Sequence, residues 1–146
     1  MIGNVITGSS IDDIPVGLSA RFSKTVGEAD IYMFAGITGD LDRNHVDEQY
    51  CKQTELGGRV AHGALLVGYM STASTLVVQG FGRPLVSQGY DRVRFIKPVF
   101  IGDTITVDYE VTELDRERER TIAKVEVHNQ RGELVAVATH IQRLLR

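Results

Sequence analysis

The chain has 146 residues, with 16 Lys and Arg against 19 Asp and Glu, a formal net charge of -3 and a 42% hydrophobic share. That describes one domain of ordinary size with apolar residues enough for a core, and with no Lys or Arg run it leaves no electrostatic footprint for nucleic acid. Cys51 is the single cysteine, which excludes an internal disulfide and suits a reducing, cytoplasmic compartment.

No basic start followed by an apolar run opens the chain, so residues 1–15 are not expected to form a signal peptide. Residues 18–24 read as a first strand. Thr25 with Glu28 three residues later has the form of a capping box, each side chain satisfying an orphan N–H of a new helix. Ile31, Phe34 and Ala35 give that helix an apolar face, and Gly39 is a plausible stop. Residues 40–45 read as polar loop and 46–53 as one or two further helical turns, broken at Gly57-Gly58.

Residues 63–78 carry Leu65, Leu66, Tyr69, Met70, Ala73, Leu76 and Val77 around most of a helix, which predicts burial on nearly every side. The weakly polar stretch 61–78 is short for a membrane span and holds His62, Ser71, Thr72, Ser74 and Thr75, so no membrane partner is expected. After Arg83 everything reads as strand. Residues 104–111 alternate, with Ile105, Val107, Tyr109 and Val111 on one face; Ala123, Val125 and Val127 do the same, and a turn from Asn129 to Gly132 leads into a strand over 134–145. The sign-alternating run 115–120 reads as a solvated turn. Consecutive strands with short turns predict an antiparallel meander. The expected fold class is α+β, a curved antiparallel sheet wrapped around one buried central helix. One helix cannot cover both faces of such a sheet, so pairing with a second copy is expected.

The segment from Phe34 to His45 is the most informative in the chain. Asp40 and His45 follow a helix end, five residues apart, and loops on a rigid frame aim side chains into cavities. A carboxylate and an imidazole directed at one water can make it nucleophilic and manage a second proton, with ordinary pKa values of about 3.9 and 6.5. The plainer reading has Asp40 capping 46–53 or binding loop amides while His45 fills a gap. Asp40-x-Asp42-x-Asn44 opens like a calcium loop, but His45 and Cys51 stand where Gly and Glu are required. His45, His62, His128 and His140 show no ligand-pair spacing, so no metal is expected.

At the start of the long helix, His62-Gly63, the first N–H groups are unpaired and the helix dipole is positive. A ligand oxygen could reach those N–H groups past Gly63, the physics of an oxyanion hole; alternatively, Gly63 serves close packing alone, and His62 is a packed, hydrogen-bonded residue. Ser71, eight residues after Gly63, reads as a buried hydroxyl bonded to a backbone carbonyl, and no Gly-x-Ser-x-Gly surrounds it. Cys51 reads as an inert thiol.

Together these residues resemble the R-specific enoyl-CoA hydratases of the MaoC-like hot-dog superfamily. That family's motif runs Gly-Asp-x-Asn-Pro-aliphatic-His, with His-Gly about seventeen residues later; this chain has Gly39-Asp40-Leu41-Asp42-Arg43-Asn44-His45 and then His62-Gly63. The run from Phe95 through Pro98-Val99 to Gly102-Asp103 is similar to the family's Phe-x-x-Pro-Val-x-x-Gly-Asp. The resemblance implies a hot-dog domain that hydrates a trans-2-enoyl thioester to the R-3-hydroxyacyl product, or runs in reverse. It implies Asp40 and His45 as the catalytic pair, Gly63 as the N–H on the thioester carbonyl, and Ser71 as part of the site's hydrogen-bond network, with His62 beside the substrate. It further implies no metal or redox cofactor, coenzyme A as part of the acyl-CoA substrate, and a homodimer or higher homo-oligomer. Asp42, Arg43 and Asn44 depart from the motif's Asn, Pro and aliphatic residue, and Arg43 is a candidate reader of a carboxylated acyl group. A hot-dog thioesterase and a non-catalytic acyl-CoA-binding or assembly module are the competing functions.

Overall fold

The computed structural model describes residues 5–146; residues 1–4, at the start of the stretch read for a signal peptide, lie outside the described residues. After a 3-10 turn at Ile11–Asp13 come β1 (Ser19–Thr25), α1 (Glu28–Thr38), α2 (Arg43–Val46), α3 (Glu48–Cys51), α4 (Gly63–Val77), β2 (Leu85–Phe95), β3 (Thr104–Asp115), β4 (Arg120–His128) and β5 (Leu134–Leu144). The strands form one antiparallel sheet in the order β1-β3-β4-β5-β2. The meander holds for the last three strands only. All the helices from α1 to α4 lie between β1 and β2 in sequence, and those two strands end on opposite edges, against β3 and β5.

Alternation decides which face is core. Ile105, Val107, Tyr109 and Val111 of β3 and Ala123, Val125 and Val127 of β4 are each at most 1% exposed, while their neighbours in sequence point outward. α4 packs on this inner face through Leu66, Tyr69, Met70, Ala73 and Val77, and each large apolar side chain so buried stabilises the fold by about 1.5–3 kcal/mol. Register shifts in β2, β3 and β4 mark bulges, which bend the sheet. The result is the expected hot-dog layout.

Three local expectations are corrected. Thr25 does not cap α1: it ends β1, its hydroxyl 2.7 Å from that of Thr104, and the helix opens at Gly27, whose N–H donates to Asp30 over 2.8 Å. Residues 43–46 are a helical turn rather than loop, because Asp42 accepts the Asn44 N–H at 2.9 Å and so caps α2. α4 is not buried on nearly every side. Ala64, Gly68, Ser71 and Thr75 form an exposed stripe of small residues, since the sheet covers only the opposite side of the helix. Among the described residues no helix is long and apolar enough to cross a membrane.

Candidate active site

α1 ends because Gly39 takes a left-handed conformation (φ 81°) while its N–H still bonds the Ala35 carbonyl at 2.9 Å. The chain therefore turns away from the helix axis, and Asp40 is the first side chain beyond it, exposed. α2 follows at once and sets His45, half-buried, against the strand-like segment that precedes α4. His45 Nδ1 lies 2.6 Å from the Val60 carbonyl oxygen. A carbonyl only accepts, so Nδ1 carries the proton and Nε2 is left with the lone pair a base requires.

His62 completes the group. It is 2% exposed, its Nε2 lies 3.0 Å from the Asp40 backbone oxygen, and its ring stacks on that of His45 with centroids 3.6 Å apart and planes at 25°. Phe34 packs against it as well, at 4.6 Å. The same tautomer argument puts the His62 proton on Nε2, leaving Nδ1 buried and without a partner among the described residues. One ligand-type atom from each of Asp40, His45 and His62 lies within 4.8 Å of the other two. The Asp40 carboxylate, whose Oδ1 accepts the Asp42 N–H at 3.3 Å, thus stands beside both imidazoles, and His62 Nε2, the nitrogen turned to Asp40, is a donor rather than a lone pair. A zinc ion would need donors about 2.0–2.2 Å from itself, yet stacked rings send their in-plane lone pairs side by side rather than to one point. Asp40 and His45 come from one segment and are legible in the sequence as a pair; His62 joins them from the start of α4, 17 residues beyond His45, where histidine spacing alone gives no hint.

Gly63 begins α4, and His62 makes no side-chain cap, so the helix's first N–H groups keep their positive field without a side-chain partner. Gly63 also meets Phe95: a Cβ on Gly63 would fall 2.6–2.7 Å from three carbons of that ring. Both readings of this glycine, close packing and ligand access, therefore have a physical basis. A cleft of about 200 Å³ lies alongside, lined by Val60, Gly63, Leu66, Phe95, Ile96 and Val99 among others. A larger hollow of about 540 Å³ lies on the outer sheet face, where Arg21 and Asp108 pair at 2.6 Å, and contains none of the candidate residues.

Two predicted residues stand apart from this group. Ser71 is exposed rather than buried and sits about 12 Å further along the helix axis than Gly63. Among the described residues no hydrogen bond joins it to Asp40 or His45; its carbonyl accepts the Ser74 hydroxyl at 2.7 Å, so the buried serine bonded to a carbonyl is Ser74, at 4% exposure. The Arg43 guanidinium turns to α3, 3.0 Å from Asp47 and 4.0 Å from the centre of the Tyr50 ring. Cys51 is fully buried, its Sγ 3.4 Å from the Arg43 and Asn44 carbonyls, and burial pushes its thiol up.

Sequence reasoning missed the frame behind the trio. The Val60 N–H bonds Asn44 at 3.0 Å and the Ala61 N–H bonds Val99 at 2.8 Å. Val99 belongs to the Phe95–Asp103 motif, which folds on itself through Asp103, acceptor of the Phe100 N–H at 2.9 Å and of Gln130 at 2.7 Å. That motif is structural support for the approach to α4, as well as a family mark.

The MaoC-like domain family matches this chain over residues 14–133. The chain is similar to an (R)-specific enoyl-CoA hydratase of Rhodospirillum rubrum, 40% identical over 107 residues that cover 73% of this chain and 72% of that protein. It is likewise similar to a 3-hydroxybutyryl-CoA dehydratase of Methylorubrum extorquens, 37% identical over 109 residues, 75% of this chain and 68% of that one. Among solved structures, the unliganded R-hydratase PhaJ1 of Pseudomonas aeruginosa superimposes with a TM-score of 0.82 at 29% identity, covering 93% of this chain and 85% of that chain. The chain therefore belongs to the MaoC-like domain family and is an enzyme of the hydratase type.

Proposed function

We propose that the chain hydrates trans-2-enoyl-CoA to R-3-hydroxyacyl-CoA, or catalyses the reverse dehydration, with Asp40 and His45 as its working pair. The observation that carries this reading is the Asp40 carboxylate standing beside a His45 whose tautomer leaves Nε2 free, next to the uncapped start of α4. In the hydration direction the pair holds a water by its protons and takes one as the oxygen bonds to the β-carbon. The thioester carbonyl gains enolate character, which the Gly63 N–H stabilises, and the α-carbon then receives a proton from the pair. The R outcome and the coenzyme A moiety are inferred from the relatives.

The departures from the family motif have local work that supports His45 rather than displacing it. Asp42 caps α2, Arg43 ties α2 to α3, and the Asn44 carbonyl receives the Val60 N–H. This counts against a degenerate, non-catalytic site. α4 carries no Asp or Glu, which counts against a thioesterase built on a helix carboxylate. The exposed small-residue stripe of α4 and the unpaired edge of β2 are the surfaces a second copy would cover, and we place the homodimer contact there.

The test mixes the protein with crotonyl-CoA and follows loss of the enoyl thioester's ultraviolet absorbance, with Asp40→Asn alongside. Loss of signal that the variant lowers at least about 100-fold, with free thiol flat, supports hydration. A rise in free thiol would replace it with thioester hydrolysis.

A further inference from the structure

The Val60 carbonyl that fixes the His45 tautomer belongs to a segment held from behind by one half-buried arginine. The Arg59 side chain is 13% exposed. Its Nε donates to Glu48 at 2.7 Å, and one terminal nitrogen lies 2.7 Å from Glu28 and donates to the Tyr32 hydroxyl at 2.6 Å. Glu28 is the first residue of α1 and Glu48 the first of α3, where negative charge is favoured by the helix dipoles. Arg59 thereby bridges the starts of two helices. α1 leads into Asp40 at its far end, and α2, which carries His45, adjoins α3. The residue after Arg59 then makes both contacts that locate His45, its N–H to Asn44 and its carbonyl to Nδ1.

We infer that Arg59 is the positioning residue of the Asp40–His45 pair, a planar clamp that sets the Val60 carbonyl against His45 and holds the two helix starts in register. The inference rests on the pair being the working site, but its physical content does not depend on the reaction. The fork geometry matters. Arg spans two carboxylates and a phenol with directed N–H groups, and a lysine ammonium in its place is a point charge that cannot hold all three.

The experiment compares the whole protein with Arg59→Lys, Arg59→Gln and Glu48→Gln. One readout is the ¹⁵N imidazole spectrum of His45, which reports its tautomer without any substrate; the other is kcat and KM for crotonyl-CoA. The wild type should show a single His45 tautomer with the proton on Nδ1. Arg59→Gln should mix the tautomers and lower kcat about 10- to 100-fold, the scale of an ångström-sized misplacement, with KM changed less than about threefold. Arg59→Lys should recover part of the loss, and Glu48→Gln should give a weaker version of both effects. If Arg59→Gln does not fold, Glu48→Gln, which keeps the arginine and removes one arm, decides by the same two readouts. A folded variant whose His45 keeps one tautomer and whose kcat is unchanged overturns the proposal. Tautomer mixing in a protein that hydrates no enoyl thioester at all would keep the clamp and remove the hydratase reading.

Discussion

Gly63→Ala separates the two jobs available to this glycine. Its backbone is not left-handed, so alanine meets no conformational strain; the whole effect comes from the added methyl, which would sit 2.6–2.7 Å from three carbons of the Phe95 ring. Phe95 is 52% exposed, so the ring can swing outward at an overpacking cost of about 1–3 kcal/mol. For a chain of this size that corresponds to a fall in Tm of roughly 3–10 °C. If the Gly63 N–H also receives the thioester carbonyl, the methyl hinders that oxygen too, and loss of such a donor costs about 10²–10³ in kcat. The double variant Gly63→Ala/Phe95→Ala tells the two apart. Calorimetry should show no further loss of Tm relative to Phe95→Ala alone, because the clash is gone, while crotonyl-CoA turnover should stay at least about 100-fold down. Recovery of turnover in the double variant would refute the carbonyl-binding role and leave Gly63 as a packing residue only.

Other outcomes follow from the same geometry. His140 is fully buried between the Tyr109 and Ser87 hydroxyls, each at 2.7 Å, and burial lowers its pKa from 6.5 to about 4. Between those values the unfolded chain binds a proton that the folded chain refuses, so stability is full above pH 6.5 and falls with acidification towards pH 4. The loss is about 1.4 kcal/mol per pH unit and about 3 kcal/mol in all; urea midpoints across this range should slope accordingly, and an unchanged slope in His140→Gln would contradict the account. Arg43→Glu should affect plain and carboxylated enoyl thioesters alike, because the guanidinium is committed to Asp47 and Tyr50; a rise in KM confined to carboxylated substrates would restore Arg43 as a reader of the acyl group. Cys51 should resist a thiol reagent in the native protein and react at once in denaturant; rapid native labelling would contradict its burial.

Much of this architecture was legible because it depends on short-range periodicity. The alternation of Ile105, Val107, Tyr109 and Val111 names its own buried face, and Gly39 stops a helix for reasons confined to its own backbone. The cap of α1 was misplaced for a similar reason in reverse: Thr25-x-x-Glu28 and Gly27-x-x-Asp30 are both plausible locally, and the pairing of Thr25 with Thr104 across β1 and β3 decides between them. The exposed stripe on α4 was invisible in sequence, since small residues suit the inside of a fold and the surface equally.

For the site, the sequence by itself determined the chemistry on offer: a carboxylate and an imidazole after a helix stop, and a glycine at the start of a long helix. Only the tertiary structure decided that His62 stacks on His45, that the Val60 carbonyl selects the His45 tautomer, and that Arg59 stands behind both. Those contacts join residues 11 to 31 positions apart, where no local periodicity can carry the information. The physical reason is that a side chain's type is written in the sequence, whereas its hydrogen-bond partner, and so its protonation state and direction, is set by whatever the fold places opposite it.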